Sequence, residues 1–130
     1  MDRLLLDANV LFSAAYRRDS GLLRLWKLPQ CRLLTSSYAG EEARRNLAGS
    51  TQRARLGKLL ESVTIVGEAE SLGDANLGLP AKDQPILAAA IHAKATHLLT
   101  GDPRHFGPLY GRTIGGLLIT RPAAYLQGLA

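Results

Sequence analysis

Carboxylates recur at points where short apolar runs of the sequence end or where helical patterns begin. They are Asp7, Glu42, Asp83 and Asp102. Carboxylates that converge in one place repel one another unless a cation neutralises them, and an all-oxygen set of ligands suits Mg²⁺ or Mn²⁺. Such an ion can activate water and stabilise the charge on an attacked phosphodiester, so no side-chain nucleophile is required. The residue types therefore favour metal-dependent hydrolysis, provided that the fold brings the acids together.

Each of these acids also has an ordinary structural explanation. Asp7 and Asp83 could simply be helix N-caps. Glu42 could complement a helix dipole, and Asp102 could be an ordinary turn residue. Only a joint placement at one edge of the fold separates the catalytic interpretation from these alternatives.

An alternation of short strands and helices would provide that placement. Apolar runs predict strands at 3–6, 32–35, 63–66, 97–100 and, interrupted by glycines, 113–119. The segments between them predict helices at 7–16, 20–28, 36–47, 51–60, 86–95 and 122–129. This order is typical of a three-layer α/β/α fold with a central, mainly parallel sheet, in which ligands bind at the carboxyl ends of the strands. Asp7 and Asp102 follow predicted strands, and right-handed crossovers would carry the helices of Glu42 and Asp83 to the same edge.

The second acid has a neighbour that could replace it, because Glu41 directly precedes Glu42. The buried stripe of this helix is predicted to consist of Ala39, Ala43 and Leu47. Glu42 lies on a flank of that stripe, so helical phase favours Glu42 without excluding Glu41.

Length and composition predict one domain over residues 1–130, since 46% of the residues are hydrophobic and 21% are charged. Cys31 is the only cysteine, so it can form no internal disulfide and no thiolate metal site. The chain shows neither a secretory pattern at its start nor an apolar run near the ~20 residues of a membrane span. We therefore expect a cytoplasmic protein that does not enter a membrane.

The charge balance favours a polyanionic partner. Sixteen Lys and Arg stand against eleven Asp and Glu, and setting the four candidate ligands aside leaves only seven acids. Arg44 and Arg45 flank Glu42 and are candidates for contacts with RNA phosphates, although a solvated helix face is an equally good explanation. A basic surface around an acidic pocket suits a nucleic-acid enzyme better than a passive binder.

Four short motifs in order together resemble the PIN-domain family. They are DANVL at 7–11, EEARRNL at 41–47, KDQPILAAA at 82–90 and TGDPRHF at 100–106. The resemblance implies a Mg²⁺- or Mn²⁺-dependent endoribonuclease that hydrolyses RNA with metal-activated water. It assigns the metal to Asp7, Glu42, Asp83 and Asp102, with Asn9 and Thr100 as supporting polar residues.

Among small bacterial members, the chain resembles the VapC-type toxins of toxin–antitoxin pairs. This resemblance implies a cognate antitoxin partner and a homodimer, which an apolar patch including Leu22, Leu25 or Trp26 could support. His92, His97 and His105 lack the spacing of a ligand set, and we expect structural roles for them.

Two other functions compete with this interpretation. A phosphotransfer enzyme of the haloacid-dehalogenase type also places an aspartate after its first strand, but it needs a second acid two residues later, where this chain has Asn9. The other alternative is a catalytically inactive RNA- or protein-binding module with the same fold, and the sequence leaves that alternative open.

Overall fold

The computed structural model of the protein describes residues 1–67 and 84–128, apart from the side chain of His105. Its strands are β1 (Asp2–Leu6), β2 (Cys31–Ser36), β3 (Thr64–Val66), β4 (His97–Leu99), β5 (Thr113–Ile114) and β6 (Leu117–Thr120). Its α-helices are α1 (Ala8–Tyr16), α2 (Ser37–Asn46), α3 (Ser50–Leu60), α4 (Gln84–His92), α5 (Pro103–Phe106) and α6 (Pro122–Gln127). Two 3₁₀ helices cover Gly21–Lys27 and Gly107–Leu109.

The strands form one sheet in the order β3-β2-β1-β4-β6-β5. Every neighbouring pair is parallel except β5 with β6. The central, mainly parallel sheet with flanking helices confirms the predicted α/β/α fold. We call the side where the parallel strands end the carboxyl edge and the side where they begin the amino edge.

The apolar runs of the strands supply the core on both faces of the sheet. Leu4, Leu5 and Leu6 are completely buried. Successive side chains of a strand point to opposite faces, and accordingly Leu4 and Leu6 join one apolar cluster while Leu5 joins the other. Continuous rather than alternating hydrophobicity is what a sheet covered on both faces requires.

The predicted strand over 113–119 is in fact a hairpin. Gly115 and Gly116 have φ values of 58° and 83° and connect β5 to β6. A two-residue turn with positive φ at both positions reverses the chain, and glycine adopts this conformation at little cost. The last pair of strands is consequently antiparallel.

The predicted helix over 20–28 is a 3₁₀ helix that packs into the core. Leu25 is only 1% exposed, and the indole N–H of Trp26 donates to the carbonyl of Leu59 at 3.0 Å. Leu25 therefore cannot contribute to the apolar surface patch that was expected to support a dimer. Within the described ranges, no helix is both long enough and apolar enough to cross a membrane.

Candidate active site

Asp7 lies at the carboxyl edge, between β1 and α1. Its backbone N–H donates to the carbonyl of Leu99 at 3.1 Å, which continues the pairing of β1 with β4. Its Oδ1 accepts from the backbone N–H of Ala8 at 2.8 Å, so Asp7 is the N-cap of α1. The structural explanation is correct for this oxygen, but it does not account for the second one.

The second oxygen of Asp7 is held by side chains from two different segments. The Thr100 hydroxyl donates to Oδ2 at 2.9 Å, and the amide of Asn9 donates to the same oxygen at 3.1 Å. Thr100 is completely buried, and Asn9 also accepts from the backbone N–H of Gly101 at 2.7 Å. Because each partner has other fixed contacts, the Asp7 carboxylate has a defined orientation. The structure thus places both predicted supporting residues beside Asp7.

Asp102 reaches the same network through its backbone. Its N–H lies 3.3 Å from the Thr100 hydroxyl oxygen, and its Oδ1 accepts from the N–H of Arg104 at 3.0 Å. The turn explanation is therefore also correct for Asp102. The hydroxyl of Thr100 nevertheless connects the carboxylate of Asp7 to the backbone of Asp102 at this edge.

The position of Glu42 on α2 agrees with the predicted helical phase. The stripe of Ala39, Ala43 and Leu47 is buried, whereas Glu42 is half-buried and Glu41 is exposed. No three Asp, Glu, His or Cys side chains within residues 1–67 and 84–128 lie close enough together to hold an ion. Asp83 falls outside the described residues. The complete set of four ligands therefore stays a prediction.

The arginines of α2 and α3 differ in their contacts. Arg44 and Arg45 are exposed in the last turn of α2, as a phosphate-binding or merely solvated face requires. On α3, Arg53 donates to the carbonyl of Leu47 at 2.7 Å, and Arg55 donates to that of Ala15 at 2.6 Å. Arg53 and Arg55 thus help to attach α3 to the rest of the protein.

Tyr110 belongs to this site although no pattern in the sequence distinguishes it from other tyrosines. Its hydroxyl donates to the backbone carbonyl of Thr100 at 2.9 Å, and the Arg121 guanidinium lies over its ring, 4.9 Å from the centroid. Burial raises the pKa of Tyr110; the charges of Asp102 and Asp7 add to this effect, and Arg121 opposes it. Tyr110 follows a short 3₁₀ helix and precedes a glycine, a context with no functional pattern, so only tertiary contact reveals it.

The donor chemistry of the site fits a hard divalent ion. Mg²⁺ keeps several waters and commonly takes only one or two carboxylates from a protein, together with phosphate oxygens of the substrate. Asp7 and Asp102 supply carboxylates at one edge of the sheet, with no thiolate or imidazole in their described hydrogen-bond network. This set suits Mg²⁺ or Mn²⁺ better than zinc.

Comparison with known proteins finds a family model that matches the sequence and a solved structure with a similar fold. A family model described as the PIN domain matches residues 3–104. No curated protein matches the chain. Among solved structures, VapBC2 from Rickettsia felis, bound to a DNA fragment from its promoter, is similar with a TM-score of 0.66 and 18% sequence identity. The alignment covers 92% of this chain and 98% of that one. At this level of identity, the structural likeness concerns the fold.

Proposed function

Because the chain belongs to the PIN-domain family, we propose that it is a divalent-metal-dependent endoribonuclease that hydrolyses RNA phosphodiesters. One observation carries this proposal beyond family membership. Asp7 and Asp102 lie at the carboxyl edge of the sheet. The buried hydroxyl of Thr100 donates to the carboxylate of Asp7 and accepts from the backbone N–H of Asp102. In open α/β sheets this is the edge at which ligands bind.

We further propose that Asp7, Glu42, Asp83 and Asp102 hold Mg²⁺ or Mn²⁺. When bound, the ion would activate water and offset negative charge on the attacked phosphodiester. The protein's own contribution is to orient the acids. Thr100 and Asn9 both donate to Asp7 Oδ2, and Asn9 also fixes the turn that leads to Asp102 by accepting from Gly101.

The biological role that we propose is that of a VapC-like toxin with a cognate antitoxin. The support is the likeness of nearly the whole chain to a VapBC2 structure, which itself was solved with promoter DNA. The net charge of +5 is compatible with an RNA substrate. A homodimer is part of the same proposal.

Metal-dependent cleavage of RNA tests the proposed activity. Purified protein without a partner should cleave labelled RNA in Mn²⁺ but not in EDTA. The Asp7→Asn variant should lose at least about 100-fold in rate, because an amide is a much poorer ligand than a carboxylate. Absence of metal-dependent cleavage, or equal cleavage by Asp7→Asn, would instead favour a catalytically inactive binding module.

Thermal shifts in Mn²⁺ test the proposed ligands one at a time. A ligand that binds only the folded state raises its melting temperature. Asp83→Asn and Glu42→Gln should show a smaller Mn²⁺-induced shift than the wild type, each measured against its own metal-free melting temperature. Glu41→Gln is the matched control and should retain the full shift. If Glu41→Gln loses the shift and Glu42→Gln keeps it, Glu41 is the ligand.

A further inference from the structure

An arginine directly follows a strand that neighbours β4 in the sheet. Arg121 directly follows β6, which pairs in parallel with β4 so that Leu99 lies opposite Thr120. The N–H of Thr100 donates to the carbonyl of Thr120 at 3.1 Å. Arg121 is therefore at the carboxyl edge, next to the strand end that carries Thr100.

The guanidinium of Arg121 is positioned by an aromatic ring. It lies over Tyr110 at 4.9 Å from the ring centroid, and Tyr110 is itself anchored by its bond to the Thr100 carbonyl. Stacking on an aromatic face limits the rotamers of an arginine, while N–H groups in the guanidinium plane can still donate. Arg121 is exposed to solvent, so a bound polyanion can reach it.

We propose that Arg121, which lies over the ring of Tyr110, binds a phosphate of the RNA adjacent to the phosphodiester that would be cleaved at the carboxylates. The inference rests on the proposed ribonuclease function and adds a residue that contacts the substrate. Its chemical basis is the pairing of a planar guanidinium with phosphate oxygens, which can be bidentate. A cation at this position also reduces the repulsion between the RNA backbone and the acids of the site.

A purely structural role for Arg121 is the competing explanation. In that role, Arg121 would cover the ring of Tyr110 and stabilise the turn between β6 and α6. Such a role predicts a loss of stability on substitution but no change in the salt dependence of RNA binding. The number of counterions released on binding reports phosphate contacts specifically.

Equilibrium binding of a short, fluorescein-labelled single-stranded RNA of mixed sequence tests the proposal. Fluorescence anisotropy is followed in EDTA, so that no cleavage occurs, over a series of KCl concentrations. Arg121→Ala should weaken binding about 3- to 10-fold and reduce the slope of log K against log[KCl] by roughly 0.7, the value for one phosphate contact on a single strand. Arg121→Lys should restore the slope but not the whole affinity, because an ammonium lacks the planar fork.

Arg32→Ala is the matched control, since Arg32 is an exposed arginine in β2 near the amino edge. It should bind RNA as the wild type does. Tyr110→Leu removes the ring but keeps the cation, and it should weaken binding by a smaller factor than Arg121→Ala. Unchanged affinity and slope in Arg121→Ala, or no RNA binding by the wild type, would overturn the inference.

The two proposals can fail separately. If the wild type shows no metal-dependent cleavage but Arg121→Ala weakens its RNA binding, the phosphate contact stands and the ribonuclease proposal falls. If the wild type cleaves RNA and Arg121→Ala binds it equally well, only the phosphate contact is refuted.

Discussion

Both edges of the sheet carry an aspartate that accepts a hydrogen bond from a hydroxyl. At the carboxyl edge, Thr100 donates to Asp7 at 2.9 Å. At the amino edge, Tyr125 donates to Asp2 at 2.6 Å and also contacts the sulfur of Cys31 at 3.1 Å. A hydrogen-bonded carboxylate therefore does not by itself identify a catalytic site.

The surroundings of the two aspartates differ. Tyr125 is 8% exposed and packs edge-on against the ring of His97, so its contacts attach α6 to the first strands. A cavity of about 460 Å³ lies beside it, lined in part by Leu28, Pro29 and Cys31. Near Asp7, the Thr100 hydroxyl also accepts from the backbone N–H of Asp102, and the exposed Arg121 directly follows the neighbouring strand β6. The contacts at the amino edge thus stabilise packing, whereas charged side chains are exposed at the carboxyl edge.

Replacing a carboxylate by an amide at each edge should give the largest contrast. Asp102→Asn should lower Mn²⁺-dependent RNA cleavage by at least about 100-fold, because it removes a proposed ligand. Asp2→Asn keeps an oxygen that can accept from Tyr125, and its cleavage rate should stay within about twofold of the wild type. RNA cleavage rates of both variants and the wild type, measured at saturating Mn²⁺, test this contrast. A loss at Asp2 equal to that at Asp102 would remove the functional distinction between the edges.

Two threonine hydroxyls, Thr100 at the carboxyl edge and the half-buried Thr96 at the amino edge, offer a sharper comparison. Thr100→Val should lower the cleavage rate about 10- to 100-fold, because the hydroxyl orients a proposed ligand. Thr96 donates to the carbonyl of Arg3 at 3.1 Å at the amino edge, and Thr96→Val should leave the cleavage rate unchanged. Both variants should lose about 1–3 kcal/mol in the free energy of unfolding. Urea titrations beside single-turnover kinetics would separate stability from activity, and an active Thr100→Val would contradict the orienting role.

The stability that Tyr125 contributes at the amino edge should decrease at alkaline pH. Burial raises the pKa of Tyr125 above 10.0, and its hydrogen bonds to Asp2 and Cys31 add to this effect. A raised pKa in the folded state means that the stabilisation is fully present below pH 10 and is lost as the pH rises beyond it. The wild type should therefore lose stability relative to Tyr125→Phe, by up to about 1.4 kcal/mol per pH unit above 10. Denaturant titrations of both proteins test this, and parallel pH profiles would refute it.

Substitution of Gly101 should have the smallest effect on RNA cleavage. An added Cβ would lie 3.3 Å from Asn9 Oδ1, so the bond from the Gly101 N–H must shift by a few tenths of an ångström. Gly101→Ala should lower the cleavage rate about twofold to fivefold and cost less than about 1 kcal/mol. Gly57→Ala is the control, because nothing lies within 4 Å and alanine favours a helix. It should be neutral or slightly stabilising, and wild-type kinetics in Gly101→Ala would show that this contact is not critical.

Local patterns in the sequence predicted much of the fold. The run of Leu4 to Leu6 predicted a buried strand, and the resulting register places Asp7 at the carboxyl edge. The buried stripe of α2 was also correct, because helical periodicity is a local property. The hydrophobic pattern predicts one interrupted strand where Gly115 and Gly116 form a hairpin turn, because such a pattern does not report the backbone conformation of glycine.

The candidate site was predictable only in part. Asp7 and Asp102 could be selected because each follows an apolar run, and a strand end is a local feature. Tyr110 and Arg121 could not, since their relation to Thr100 depends on loop geometry and on pairing of distant strands. Helical phase alone ranks Glu42 above Glu41, but it cannot measure the distance from either to Asp7.

The hydrogen bond between Thr100 and Asp7 joins residues 93 positions apart in the chain. Contacts of such separation form only after the intervening chain has been closed into a loop, which slows folding of parallel sheets. A chain still emerging from the ribosome without its fourth strand therefore lacks this arrangement, even when the first strand and its aspartate have been synthesised. Assembly of the site is in this way conditional on synthesis of the chain through Thr100, and the carboxyl edge stays unformed until that segment has been made.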